Sequence, residues 1–134
     1  MNALKIEPTE FTPQVILDPD ANRFEISGES RPENAGKFYS KILNWLDQYY
    51  SLRYWKDNKF TNKGGDAVFE FNFEYFNSTS AKFILDIFKK LNSFQKDNIN
   101  IKVRWHYAKQ DIDMKESGEE FAQMAGIPFE FIAT

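Results

Sequence analysis

The chain has 134 residues, 42% of them hydrophobic and 17% aromatic, with 14 Phe and a net charge of -3. That length suits one domain, residues 1–134, with a ring-rich core, and the mixed charge argues against a nucleic-acid or anionic-membrane surface, which would concentrate Lys and Arg. With no Cys and one His, disulfides, thiolate catalysis, Cys-ligated zinc and a His-rich metal centre are excluded within the chain. No apolar run approaches the roughly 18 residues of a membrane span. Met1-Asn2-Ala3-Leu4-Lys5 lacks the basic and long apolar regions of a secretory signal, so the cytoplasm is the expected compartment.

Leu4, Ile6 and Phe11 alternate loosely with polar residues and predict a short first strand, which Pro8 and Pro13 confine to an edge. Val15-Ile16-Leu17 and Arg23-Phe24-Glu25-Ile26-Ser27 flank the turn residues Asp18-Pro19-Asp20-Ala21-Asn22 and predict a β-hairpin. Ser30 and Glu33 then have capping-box spacing, and Pro32 suits a first helical turn. Phe38, Ile42, Trp45, Leu46 and Tyr49 recur at helical spacing to about Tyr50. Residues 51–66 lose the pattern and read as a loop or a short extra element.

Residues 67–76 read as a strand with a Phe ladder. Alternation puts Phe69, Phe71, Phe73 and Tyr75 on one face, and Val68, Glu70, Asn72, Glu74 and Phe76 on the other. A polar corner, Asn77-Ser78-Thr79-Ser80, hands over to a helix beginning Ala81-Lys82-Phe83, with Ile84, Leu85, Phe88, Leu91 and Phe94 on its inner stripe. Lys82, Asp86, Lys89, Lys90 and Gln95 are left for solvent. Ile99, Ile101, Val103, Trp105 and Tyr107 alternate with polar residues as a strand, which leaves His106 on the polar face. Residues 111–125 read as a helix with Phe121, Ala122 and Ala125 inward and Gly126 as its stop. Residues 127–132 are a candidate terminal strand. The order predicts an α/β fold, a mixed and mostly parallel sheet with helices packed against it and right-handed crossovers.

No catalytic constellation and no metal-ligand set assembles from these spacings. Gly64-Gly65 lacks the Lys-Ser/Thr of a phosphate-binding loop, and no nucleophile elbow is present. The corner is different. One capping oxygen satisfies an orphan N–H at a helix start, yet Asn77, Ser78, Thr79 and Ser80 supply four polar residues. A phosphoryl group there would meet free backbone N–H groups, the positive end of the helix dipole and the nearby Lys82.

The stretch Gly28-Glu29-Ser30-Arg31-Pro32-Glu33-Asn34-Ala35 resembles the Gly-Glu/Asp-Ser-x-Pro-Glu-Asn motif of the SiaC family of bacterial regulatory phosphoproteins. Tyr75-Phe76-Asn77-Ser78-Thr79-Ser80 resembles that family's Tyr-Leu/Phe-Asn-Ser/Thr-Ser/Thr-Ser motif. Thr12-Pro13, Arg104-Trp105-His106-Tyr107 and Pro128-Phe129-Glu130 are also similar, so the resemblance covers essentially the whole chain. It implies a STAS-like single domain, as in anti-sigma-factor antagonists, that is no enzyme and needs no cofactor. It further implies phosphorylation of Ser78 by a Ser/Thr kinase, with Thr79 and Ser80 as neighbouring alternatives, and reversal by a PP2C-type phosphatase. Tyr75, Asn77, Thr79, Ser80 and Lys82 would form the partner-binding corner. The partner it implies is a diguanylate cyclase, bound by the unphosphorylated form and linked to cyclic-di-GMP and biofilm control. Arg31 stands where relatives are often aromatic, and residues 58–66 form a longer loop than usual. The competing expectation is a small-molecule or nucleotide-binding module of the STAS type, because helix starts and sheet crevices hold anions.

Overall fold

The computed structural model describes residues 1–59 and 65–134. The elements run β1 (Leu4–Ile6), β2 (Gln14–Asp18), β3 (Arg23–Ser30), α1 (Ala35–Lys59), β4 (Ala67–Phe76), α2 (Ser78–Lys96), β5 (Ile101–Tyr107), α3 (Ile112–Ala125) and β6 (Phe129–Ala133). The strands form one six-stranded sheet in sequence order, β1-β2-β3-β4-β5-β6. The first two pairings are antiparallel and the last three parallel. Each strand–helix–strand unit thus advances one position in the same direction. With the right-handed sense such units take, all three helices land on one face of the sheet.

The alternation of apolar residues along the strands matches that arrangement. Phe24, Ile26, Phe69, Phe71, Phe73, Ile101, Val103 and Trp105 are buried beneath the helices, while Arg23, Glu25, Glu70, Asn72, Arg104 and His106 line the opposite, open face. Trp105 is fully buried among Phe73, Phe88, Phe121 and Phe129, with ring centroids 5.6 to 6.1 Å away. Its indole Nε1 donates to the Met114 carbonyl at 3.0 Å, which satisfies the one polar atom that the ring buries. A second ring cluster joins Phe24, Trp45, Tyr49 and Phe69 under α1.

Local chemistry explains most of the boundaries. Asp18 Oδ1 accepts from the Asp20 and Ala21 N–H groups, and Asn22 sits at a φ of 51°, so the β2–β3 turn closes as an Asx turn. Asp111 caps α3 by accepting from the Met114 N–H at 3.1 Å, and Gly126 ends it in the left-handed conformation, φ 72°.

Several sequence expectations are corrected. The helix α1 does not stop near Tyr50 but continues to Lys59, so residues 51–59 are helix rather than loop. The stripe continues at Arg53, a charged residue buried in the helix, with Nη1 donating to the Tyr49 hydroxyl at 2.7 Å. The rest of the expected long loop falls mainly on residues 60–64, outside the described residues. Tyr39 rather than Phe38 occupies the inner face of α1, Phe38 being half-buried. In α2, Ile87 is buried and Leu85 only half-buried; in α3, Met114 and Gly118 are buried and Ala122 half-buried. Gln95, expected in solvent, is half-buried and donates to the Ile101 carbonyl at 2.6 Å. Lys90 is half-buried and pairs with Asp47 at 2.6 Å.

Candidate functional site

The Gly28–Asn34 and Tyr75–Lys82 motifs, some forty residues apart in sequence, meet at one corner of the sheet. Pairing between β3 and β4 is regular up to Gly28 opposite Phe73, then shifts so that Glu29 faces Tyr75 and Ser30 faces Phe76. Gly28 has a φ of 110°, a conformation that L side chains rarely adopt. A β-carbon there would meet Pro13 Cα at an ordinary 3.7 Å, so the backbone angle rather than space demands the glycine.

This bulge inserts Glu74 as an extra residue in β4 and reverses the parity of the strand. The expected ladder therefore breaks after Phe73. Tyr75 points outward and is 47% exposed. Phe76 turns inward instead, with its ring 5.8 Å from Phe73 and 5.6 Å from Phe121.

The end of β3 is locked to the start of α2. The Asn77 N–H donates to the Ser30 carbonyl at 3.0 Å. The Ser80 hydroxyl donates to the same carbonyl at 3.1 Å and accepts from Ser30 Oγ at 2.9 Å. Ser30 Oγ also bonds the Tyr39 hydroxyl at 2.5 Å. All three residues are fully buried, so this network ties strand, corner and α1 together through satisfied polar groups. Burial pushes the Tyr39 hydroxyl up to about 12, against the opposing effect of its bonds to Ser30 and Ser80.

Ser30 is thus not the helix cap that its spacing with Glu33 suggested; it completes β3, and its hydroxyl is spent inside. The cap of α1 is Asn34, whose Oδ1 accepts from the Lys37 N–H at 3.0 Å. Pro32 and Glu33 lie in the connection before it. The cap of α2 is Asn77, which accepts from the Ser80 N–H at 2.8 Å, so none of the three hydroxyls is needed for capping. The helix begins at Ser78 rather than at Ala81.

The three hydroxyls of the corner are therefore inequivalent. Ser80 is inside, whereas Ser78 and Thr79 are exposed in the first turn of α2. Lys82 is exposed as well and stands four residues after Ser78, on the same side of the helix. The first N–H groups of a helix have no intrahelical acceptor, and they carry the positive end of its dipole. No acidic residue occupies the first turn of α2. The Ser78 oxygen thus sits where an added anion is favoured.

Sequence reasoning missed Tyr39 and placed Phe11 with the first strand, which in fact ends at Ile6. The Tyr39 signal was present, since positions 39, 42, 46 and 49 keep a regular helical stripe. Phe11 sits in a turn tied by Thr9 and Thr12, whose hydroxyls are 2.6 Å apart. Its carbonyl accepts from the Arg31 N–H at 2.8 Å, its ring is 46% exposed, and the Arg31 guanidinium lies 4.5 Å above the ring centroid. Arg31 Nε also meets the Glu29 carboxylate at 3.1 Å.

His106 lies on the open face, away from the hydroxyls. Its Nε2 is 2.7 Å from Glu70 Oε1, and Arg104 reaches Glu70 at 3.1 Å and Glu130 at 3.6 Å. A polar groove of about 590 Å3 runs over these residues. Among the described residues, no cluster of three or more His, Asp or Glu is placed to hold a metal ion, and no helix is long and apolar enough to cross a membrane.

The chain as a whole is similar to known proteins. Residues 6–134 match the family model described as SiaC family regulatory phosphoprotein. The uncharacterized protein PA14_02130 of Pseudomonas aeruginosa (strain UCBPP-PA14) is 26% identical over 131 residues, covering 96% of this chain and 94% of its own length. The crystal structure of apo-SiaC from Pseudomonas aeruginosa superposes with a TM-score of 0.82 at 24% identity, covering 100% of this chain and 99% of that one. A further match with a TM-score of 0.82, also at 24% identity and covering 98% and 99%, is the crystal structure of diguanylate cyclase SiaD in complex with its activator SiaC from the same organism. The six-stranded α/β fold is therefore that of the SiaC structures, and with the family model matching nearly its whole length, the chain belongs to the SiaC family of regulatory phosphoproteins.

Proposed function

We propose that this chain is a non-enzymatic partner-switching protein of the cytoplasm, controlled by phosphorylation of Ser78. A Ser/Thr kinase transfers the γ-phosphoryl group of ATP to Ser78 Oγ, releasing ADP and a proton, and a PP2C-type phosphatase hydrolyses the ester. The unphosphorylated corner, with Tyr75, Thr79 and Lys82 at its surface, binds a diguanylate cyclase and raises its output of cyclic-di-GMP, with biofilm formation downstream. The phosphoryl group adds nearly two negative charges to that surface without disturbing the fold.

The observation that carries this reading is the division of labour at the corner. Asn77 caps α2 and buried Ser80 braces it, which leaves Ser78 exposed beside Lys82 with no structural duty. The hydroxyl directly after the Asn is the position that the family resemblance points to, which favours Ser78 over the exposed Thr79.

The test is to incubate the purified chain with ATP and the Ser/Thr kinase of its own genome and to map the product by mass spectrometry. The expected result is one phosphate on Ser78. A chain left unmodified throughout residues 78–80 would overturn the proposal.

A further inference from the structure

The corner carries a cation that the family motif does not specify. Arg31 follows Ser30, whose carbonyl accepts from the Asn77 N–H. The Arg31 backbone therefore runs alongside the residue that precedes Ser78. Its guanidinium lies over the Phe11 ring at 4.5 Å and against Glu29 at 3.1 Å. Both holds are weak. The Arg31 and Glu29 side chains are 40% and 35% exposed, and exposed ion pairs of this kind contribute little. A cation over an exposed ring adds about as little. A phosphoryl group offers nearly twice the charge of the Glu29 carboxylate and three oxygens that suit the planar fork of a guanidinium.

We infer that Arg31 reads the state of Ser78: it rests on Phe11 and Glu29 when Ser78 is free, and swings to the phosphoryl group when Ser78 is modified. This inference rests on the proposed modification of Ser78. The swing changes the partner surface at a distance from the phosphate itself. It bares the Phe11 ring, already 46% exposed, and leaves the Glu29 carboxylate without its Arg31 partner. Modification thus both adds charge at the start of α2 and remodels the neighbouring β1–β2 connection, which gives a partner two features to discriminate.

The experiment uses chains with phosphoserine installed at position 78 during translation, so it does not depend on any kinase. The second ionisation of the phosphate is followed by phosphorus NMR in the otherwise native chain and in R31Q and K82Q variants. Both substitutions are at exposed surface positions. The inference predicts that R31Q raises that pKa by about half a unit, because an opposite charge in contact favours the dianion. It also predicts that the Arg31 Nε–H resonance, held in the shielding zone of the Phe11 ring in the unmodified chain, loses that shielding in the phosphorylated one. Coincident titrations of the native and R31Q chains, an effect confined to K82Q, or an Arg31 resonance unmoved by phosphorylation would each overturn the inference. Those outcomes leave the kinase and cyclase reading standing, and a kinase that ignores Ser78 leaves this measurement standing.

Discussion

Replacing Ser80 and Ser78 separately by alanine should split stability from modification. The Ser80 hydroxyl donates to the Ser30 carbonyl at 3.1 Å and accepts from Ser30 Oγ at 2.9 Å, with no exposure to water. Removing it leaves the Ser30 carbonyl its bond from the Asn77 N–H at 3.0 Å, but Ser30 Oγ–H loses its acceptor, and the one bond left between Ser30 and the Tyr39 hydroxyl at 2.5 Å can use only one of their two buried protons. The loss is therefore one net hydrogen bond, about 0.5–1.5 kcal/mol, plus one buried donor left unsatisfied, about 1–3 kcal/mol. The better helix propensity of Ala returns a few tenths, roughly 0.5 kcal/mol at most. Ser80→Ala should thus cost about 1–4 kcal/mol in urea unfolding, read as a lower midpoint at unchanged slope. Ser78→Ala, at an exposed position, should stay within about 0.5 kcal/mol of the native chain. Kinase labelling should show the reverse order, with Ser80→Ala still modified and Ser78→Ala not. Equal stabilities of the two variants, or a label lost from folded Ser80→Ala and kept by Ser78→Ala, would refute the assignment of roles.

Two further outcomes follow from the packing. A β-carbon at Gly118 would lie 2.5 Å from Trp105 Cδ1 and Nε1, so Gly118→Ala should destabilise the chain by about 1–3 kcal/mol through overpacking and alter the Trp105 fluorescence; native-like unfolding and emission would contradict the packing account. The Tyr39 hydroxyl, raised to about 12 by burial, is held in its neutral form by the fold. Its contribution is complete below pH 10 and is lost as pH rises through 12. Ultraviolet titration of the phenolates should show Tyr39→Phe removing a late-titrating group, and the loss of an early one instead would contradict the buried network.

Much of the fold was legible because its strongest signals are local. The strands of the hairpin, the start of α3 at about Asp111 and the Gly126 stop all rest on chemistry within a few residues. What escaped the sequence depended on distant partners. The end of α1 was hidden because Arg53, buried against Tyr49, continues an apolar stripe with a charged residue. The ladder of β4 misled beyond Phe73 because strict alternation has no sign for a bulge, and the bulge is set by Gly28 in a different strand. Ser30 has capping-box spacing, yet a hydroxyl at the end of a strand with Tyr39 and Ser80 in reach is used differently. At the corner, the cluster of Asn77, Ser78, Thr79 and Ser80 was readable as a unit, but its internal assignment was not. Which oxygen caps, which braces and which faces solvent follows from the meeting of two motifs that only the folded sheet brings together.

Under the proposed function, phosphorylation of Ser78 alone switches the surface a partner sees. The direct measurement is calorimetric titration of a diguanylate cyclase from the same genome with the unmodified chain and with the chain carrying phosphoserine at position 78, with cyclic-di-GMP synthesis followed in parallel. Binding and stimulation are expected from the unmodified chain, and loss of both from the modified one. Equal affinity and equal stimulation by the two forms would contradict it.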